Sequence, residues 1–163
     1  MFGKDGEVRL VDFGLAKDTT HHMKAYAGTP YFMAPEVLNG YYTHKCDIWS
    51  VACVLYMLMA GKLPYTGGSR REVFDKIKSG NYSNVPSFSD ELKSLLRQMF
   101  NTKPEQRPTA LECLTHPWFN QLHENDENDN VINPEIIANL QNFHGRNRLR
   151  RQCMLILVKM INP

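Results

Sequence analysis

The stretch Ile48–Met59 carries no charged side chain and is bounded by Asp47 on one side and Gly61 on the other. A helix that is apolar nearly all round cannot rest on a surface, so the rest of the chain has to wrap it. The longest unbroken apolar run, Val51–Ala60, is about half of the roughly 20 residues a membrane span needs, which makes this a core helix. With 163 residues, 42% of them apolar, the chain is long enough to provide that cover and to build one domain around it.

The candidate covering elements follow from local signals. Lys4-Asp5-Gly6 is a turn, and Glu7-Val8-Arg9-Leu10-Val11 alternates polar and apolar, which predicts a short strand running into Asp12. From Lys17 to Tyr31 the residues are polar, include Gly28 and Pro30 and show no period, as in a surface loop able to change conformation. Pro35 opens a short helical pattern through Leu38 that Asn39-Gly40 ends. Further helices are predicted over Ser69–Ser79, Asp90–Phe100 and Thr109–Thr115, with Ser69, Ser89 and Pro108-Thr109 as their starts. After Phe119 the composition turns to Glu124-Asn125-Asp126-Glu127-Asn128-Asp129-Asn130, an acidic run unable to bury surface, so residues 120–133 read as a linker. Beyond Pro134, one apolar set (Ile136, Ile137, Leu140, Phe143) and a second (Leu149, Cys153, Ile156, Met160) predict two amphipathic helices separated near Gly145.

Two motifs carry chemistry. Asp12-Phe13-Gly14 follows the strand-like run, and Gly28-Thr29-Pro30-Tyr31-Phe32-Met33-Ala34-Pro35-Glu36 comes next in the order and at the spacing of the two ends of a protein-kinase activation segment. Asp47-Ile48-Trp49-Ser50, Gln106-Arg107-Pro108-Thr109 and His116-Pro117-Trp118-Phe119 continue the same register. Over residues 1–119 the sequence therefore resembles a protein kinase. The implied fold is mainly α: the C-terminal lobe of the kinase fold, with a short β remnant before the activation segment and a helical tail after it.

That resemblance assigns roles. Asp12 would hold the magnesium that bridges the phosphates of ATP, since a hard cation prefers carboxylate oxygen. Phe13 would act as an apolar plug, and Gly14 would give the loop freedom to rearrange. Thr29, typical of serine/threonine kinases at its position, would bond the aspartate and lysine of the catalytic loop. Glu36 would pair with Arg107 in the interior. Alone each of these two would be expected on the surface, and the motif context reverses that. Loss of Arg107 should then destabilise the fold by several kcal/mol. Asp47 would accept bonds from the catalytic-loop backbone, with Trp49 beside it in the scaffold. Three kinase motifs are missing from these residues: the glycine-rich nucleotide loop, the V-A-I-K lysine strand and the H-R-D loop. By resemblance the chain starts just after that loop, Met1 is an internal methionine of a longer parent, and the isolated chain is expected to transfer little phosphate. Apolar groups facing the missing parts would be uncovered, so association or low solubility is expected.

The tail narrows the resemblance. Pro134–Phe143 followed by Asn147-Arg148-Leu149-Arg150-Arg151 is similar to the junction segment of calcium-dependent protein kinases, where such a segment is autoinhibitory. A basic amphipathic helix suits an acidic substrate groove or a calmodulin-like sensor, with Phe143, Arg148, Leu149, Arg150 and Arg151 as the contact set. A helix packed on the body with its arginines in water is the competing reading of the same pattern.

Other signals fall short. Asp126, Asn128 and Asn130 have calcium-loop spacing, but Val131 replaces the required glycine and Ile137 the bidentate glutamate. The four cysteines have no metal spacing and read as reduced core thiols. A net charge of +2 gives no case for nucleic acid, and no signal region or membrane span is found, which leads to a cytoplasmic expectation with the nucleus also open. The expected activity is serine/threonine protein phosphorylation with ATP and magnesium, on a protein substrate. The rival from another class is a catalytically inactive, kinase-derived fragment that binds a calmodulin-like partner or another kinase.

Overall fold

The computed structural model describes residues 9–16, 23, 30–119, 136, 138 and 139. Among the described residues the body is built on the helices α1 (Pro35–Leu38), α2 (Lys45–Ala60), α3 (Arg70–Ser79), α4 (Asp90–Met99) and α5 (Ala110–Leu114). Short 3-10 turns lie at Phe13–Leu15, Pro30–Phe32 and Pro104–Gln106. The fold is thus mainly helical, as the sequence implies.

Local chemistry sets the helix ends. Ser69 and Ser89 each accept a bond from the backbone N–H three residues on, at 3.2 Å, which supplies partners that the first turn of a helix lacks. Thr109 and Glu112 form a reciprocal capping box, with Thr109 N–H to Glu112 Oε2 at 2.7 Å and Glu112 N–H to Thr109 Oγ1 at 3.2 Å. Gly61 and Gly80 close α2 and α3 in the left-handed region, at φ 65° and 71°, where a side chain is strained.

Helix α2 is the axis. It packs against α4 and the Pro30–Phe32 turn, and Ser50 Oγ ties it to that turn by donating to Phe32 O at 2.9 Å. Its inner face buries Trp49, Ala52, Cys53 and Tyr56. Trp49 stacks on Tyr65 at 5.6 Å and meets Phe100 edge-on at 5.1 Å, while Tyr56 O–H donates to Ser83 O at 2.8 Å. From α4, Leu92, Leu95, Leu96 and Met99 complete the core.

Three expectations need correction. Helix α2 begins at Lys45, so Asp47 sits inside its first turn rather than ahead of it. Among the described residues α2 is not covered all round: Val51 and Val54 are 54% and 42% exposed, because the elements described pack on one side of the helix. Arg9, Leu10 and Val11 are not in a strand, and the remainder of the predicted strand lies outside the described residues. A strand needs a neighbour to bond, and among the described residues the only β pairing is the isolated antiparallel bridge of Met23 with Tyr42. The linker and all tail positions other than 136, 138 and 139 also lie outside the described residues.

Candidate active-site segment and its anchor

At the first motif the backbone turns sharply. Asp12 takes φ 64° and ψ 69°, the one positive φ outside glycine among the described residues. Aspartate is among the few residues that tolerate this region, because its short carboxylate can bond locally. Here Oδ1 accepts from Gly14 N–H at 3.4 Å, and Ala16 N–H closes the turn on Phe13 O at 2.9 Å. The turn leaves the Asp12 carboxylate in solvent, and Phe13 is 69% exposed.

The second motif is anchored deep in the body. Arg107, 1% exposed, reaches Glu36, 7% exposed, across 71 sequence positions. Its fork is bidentate, Nη1 to Oε1 at 2.6 Å and Nη2 to Oε2 at 3.0 Å. The remaining donors go to backbone carbonyls: Nη1 to Lys45 O at 2.6 Å, Nη2 to Asn101 O at 2.9 Å and Nε to the same oxygen at 3.1 Å. All five guanidinium N–H groups are therefore used, which is what makes a buried arginine tolerable. The Trp49 ring lies 5.2 Å from its Cζ, within cation–π range. Lys45 Nζ in turn donates to Arg107 O at 2.6 Å. Helix α1, the start of α2 and the Pro104–Gln106 turn are thereby locked together, and with them the end of the loop that starts at Asp12.

Asp47 is exposed at the first turn of α2, where it complements the helix dipole, and its Oδ1 accepts from Cys46 Sγ at 3.7 Å. Burial, followed by the Asp47 and Glu36 charges, pushes the Cys46 thiol up to about 12, and burial pushes Cys53 to about 12. These thiols are not poised as nucleophiles. Thr29, Phe143, Arg148, Leu149, Arg150 and Arg151 lie outside the described residues.

Lys45 and Asn101 were not legible as parts of this anchor. Both accept through main-chain oxygen, and a carbonyl has no residue signature. Among the described residues no group of three His, Cys, Asp or Glu side chains could hold a metal by itself. Asp12 fits magnesium as one ligand of a shell completed by water and phosphate oxygens, the usual manner in which this cation is bound.

Comparison with known proteins agrees with this arrangement. The model of the protein kinase domain matches residues 1–119. The chain belongs to the protein kinase family. It is 33% identical over 162 residues to calcium-dependent protein kinase 3 of Plasmodium yoelii yoelii, covering 95% of this chain and 30% of that protein. Calcium-dependent protein kinase 25 of Arabidopsis thaliana is 28% identical over 165 residues, covering 98% and 31%. Human serine/threonine-protein kinase Nek2 is 39% identical over 129 residues, covering 76% and 29%. The chain thus spans about a third or less of the length of these relatives. The match to calcium-dependent kinases runs past residue 119 into the tail, whereas the kinase-domain match ends there. Among the described residues no helix is long and apolar enough to cross a membrane.

Proposed function

We propose that this chain supplies the activation segment and C-terminal lobe of a cytoplasmic serine/threonine protein kinase under calcium control, which moves the γ-phosphate of ATP to protein hydroxyls with magnesium. The observation that carries the proposal is the Glu36–Arg107 lock. It fixes the end of the activation segment to the body, while the other end presents an exposed carboxylate on a tight turn. Magnesium, when bound, would bridge phosphate oxygens and neutralise charge as the phosphoryl group moves. Asp12 would hold it, Gly14 would let the turn form, and Thr29 would orient the substrate end of the loop. The calcium dependence in the names of the relatives that match along the tail supports calcium control, and the basic amphipathic pattern of residues 134–163 suits its exertion by a calmodulin-like sensor.

A second reading, a kinase-derived protein that binds without catalysis, is favoured by the basic amphipathic pattern of residues 134–163, which suits a calmodulin-like partner. In that reading the protein would hold its partner without moving phosphate. One experiment separates the two. The protein is immunopurified from its source with antibody to the 120–133 linker and assayed with ATP, magnesium and matched serine and tyrosine peptides. Serine phosphorylation is expected, and transfer to tyrosine alone would refute the specificity. No transfer, with capture of calmodulin in calcium by the native chain but not by its Phe143→Asp and Leu149→Asp variants, would favour the binding protein.

A further inference from the structure

Helix α2 ends at Ala60, and its last carbonyls have no partner inside the helix. Gly61 N–H closes on Met57 O at 2.9 Å. Leu58 O and Met59 O are met instead by the side-chain amide of Asn139, which donates to them at 3.1 Å and 2.9 Å across 81 and 80 positions. Both N–H groups of the amide are spent on this pair. The opposite orientation of the amide would set Oδ1 against two carbonyl oxygens.

Gly61 makes room for this contact. A Cβ there would stand 3.1 Å from Asn139 Oδ1, 3.5 Å from its Cγ and 3.6 Å from its Cα, so the Asn139 main chain itself lies against the glycine. Gly40, which follows α1 at φ 76°, has nothing within 4 Å of the same position. Positive φ alone accounts for Gly40, whereas Gly61 serves both the turn and the contact. Ile136, Ala138 and Asn139 are helical, and Ile136 and Asn139 are half-buried, so helical backbone and not a lone side chain meets the end of α2.

We infer that Asn139 is a positioning residue that fastens the start of the tail to the end of α2, and that this fastening stays closed while a calcium sensor holds the tail. The second half rests on the sensor reading proposed above. The contact set of that reading, Phe143, Arg148, Leu149, Arg150 and Arg151, lies wholly beyond Asn139, and the fastening uses none of it. The fastening also bounds where the basic cluster can be. At no more than about 3.4 Å per residue, Arg148 stays within about 30 Å of Asn139, against about 100 Å of Phe119 with the contact open. A sensor that captures the tail is thereby kept beside the body.

Gly61→Cys combined with Asn139→Cys tests the fastening in the full chain, because the two Cβ positions fall near the roughly 3.5–4.5 Å that a disulfide spans. On mild oxidation this pair should form an intramolecular disulfide, mapped by peptide mass, at least tenfold faster than the control pair Gly40→Cys with Asn139→Cys. Equal rates would overturn the proposal. Once oxidised, the pair should capture calmodulin in calcium within about twofold of the unmodified chain. Capture lost on oxidation and restored by reduction would show that the fastening has to open, which overturns the second half. An unmodified chain that captures no calmodulin would refute the sensor reading and the second half with it, and the disulfide rates would still decide the fastening. Asn139→Asp reads the donors separately, since it keeps the size of the side chain but sets acceptors against both carbonyls. Its melting temperature at pH 7 should fall by at least about 2 °C. The fold disfavours the ionised carboxyl there, so the deficit should shrink as pH falls below about 4 and the protonated group regains one donor. A deficit that is absent, or the same at every pH, would also overturn the proposal.

Discussion

Replacing Arg107 by alanine should be among the most damaging single changes in the body. It would leave the Glu36 carboxylate, 7% exposed, without its bidentate partner, and would strip donors from Lys45 O and Asn101 O. Removing one partner of a buried ion pair costs about 3–5 kcal/mol, against a total stability of roughly 5–15 kcal/mol for a domain. At a urea slope of about 2 kcal/mol per molar, the unfolding midpoint should fall by about 2 M. Arg107→Lys keeps a charge but loses the planar fork and the cation over Trp49, so it should fall between. The discriminating variant is the double Glu36→Met, Arg107→Met, which removes both charges from the interior and should recover most of the loss. Urea titration followed by Trp49 and Trp118 emission reads all four proteins. A shift below about 0.3 M for Arg107→Ala, or a double variant no more stable than Arg107→Ala, would refute the view of a desolvated, fully bonded pair.

Thr109→Ala breaks the capping box and should cost about 1 kcal/mol, a fall in melting temperature of about 2–4 °C. The Thr109 backbone N–H and then its hydroxyl hold the Glu112 carboxyl below its usual range, a contribution present at neutral pH and lost as pH falls through that lowered value. The gap between Thr109→Ala and the parent should accordingly narrow below about pH 4, and an unchanged gap would contradict the cap's ionic component. Gly61→Ala places a Cβ at φ 65° and 3.1 Å from Asn139 Oδ1, so calorimetry should show a loss of at least about 1 kcal/mol, and no loss would contradict the strained cap. Cys53, with its thiol pushed up to about 12 by burial, should resist iodoacetamide in the native protein and react once unfolded, whereas rapid native labelling would contradict the packing.

Much of the body could be read before the structure because its signals are local. Ser69, Ser89 and Thr109 each stand where a hydroxyl must satisfy the first turn, and all three helices start there. The Glu36–Arg107 contact, 71 positions apart, could not come from periodicity and was legible only through motif resemblance. The carbonyls of Lys45 and Asn101 that complete it left no trace in the residue types. The one-sided burial of α2 was missed for a related reason: composition states that a helix wants cover, whereas the cover it receives depends on which elements pack against it. Asn139 was passed over as one polar residue on an amphipathic stretch, since its use depends on where α2 ends in space.

The kinase assignment turns on the Asp12 carboxylate. The direct measurement is transfer of labelled phosphate from ATP to a serine peptide, in magnesium, by the protein immunopurified from its source, with Asp12 intact and as Asp12→Asn. Loss of this charge should lower the rate on the order of 100-fold or more while Trp49 emission and the urea midpoint stay unchanged. A rate equal to that of the parent would remove Asp12 from the phosphate chemistry and contradict the assignment.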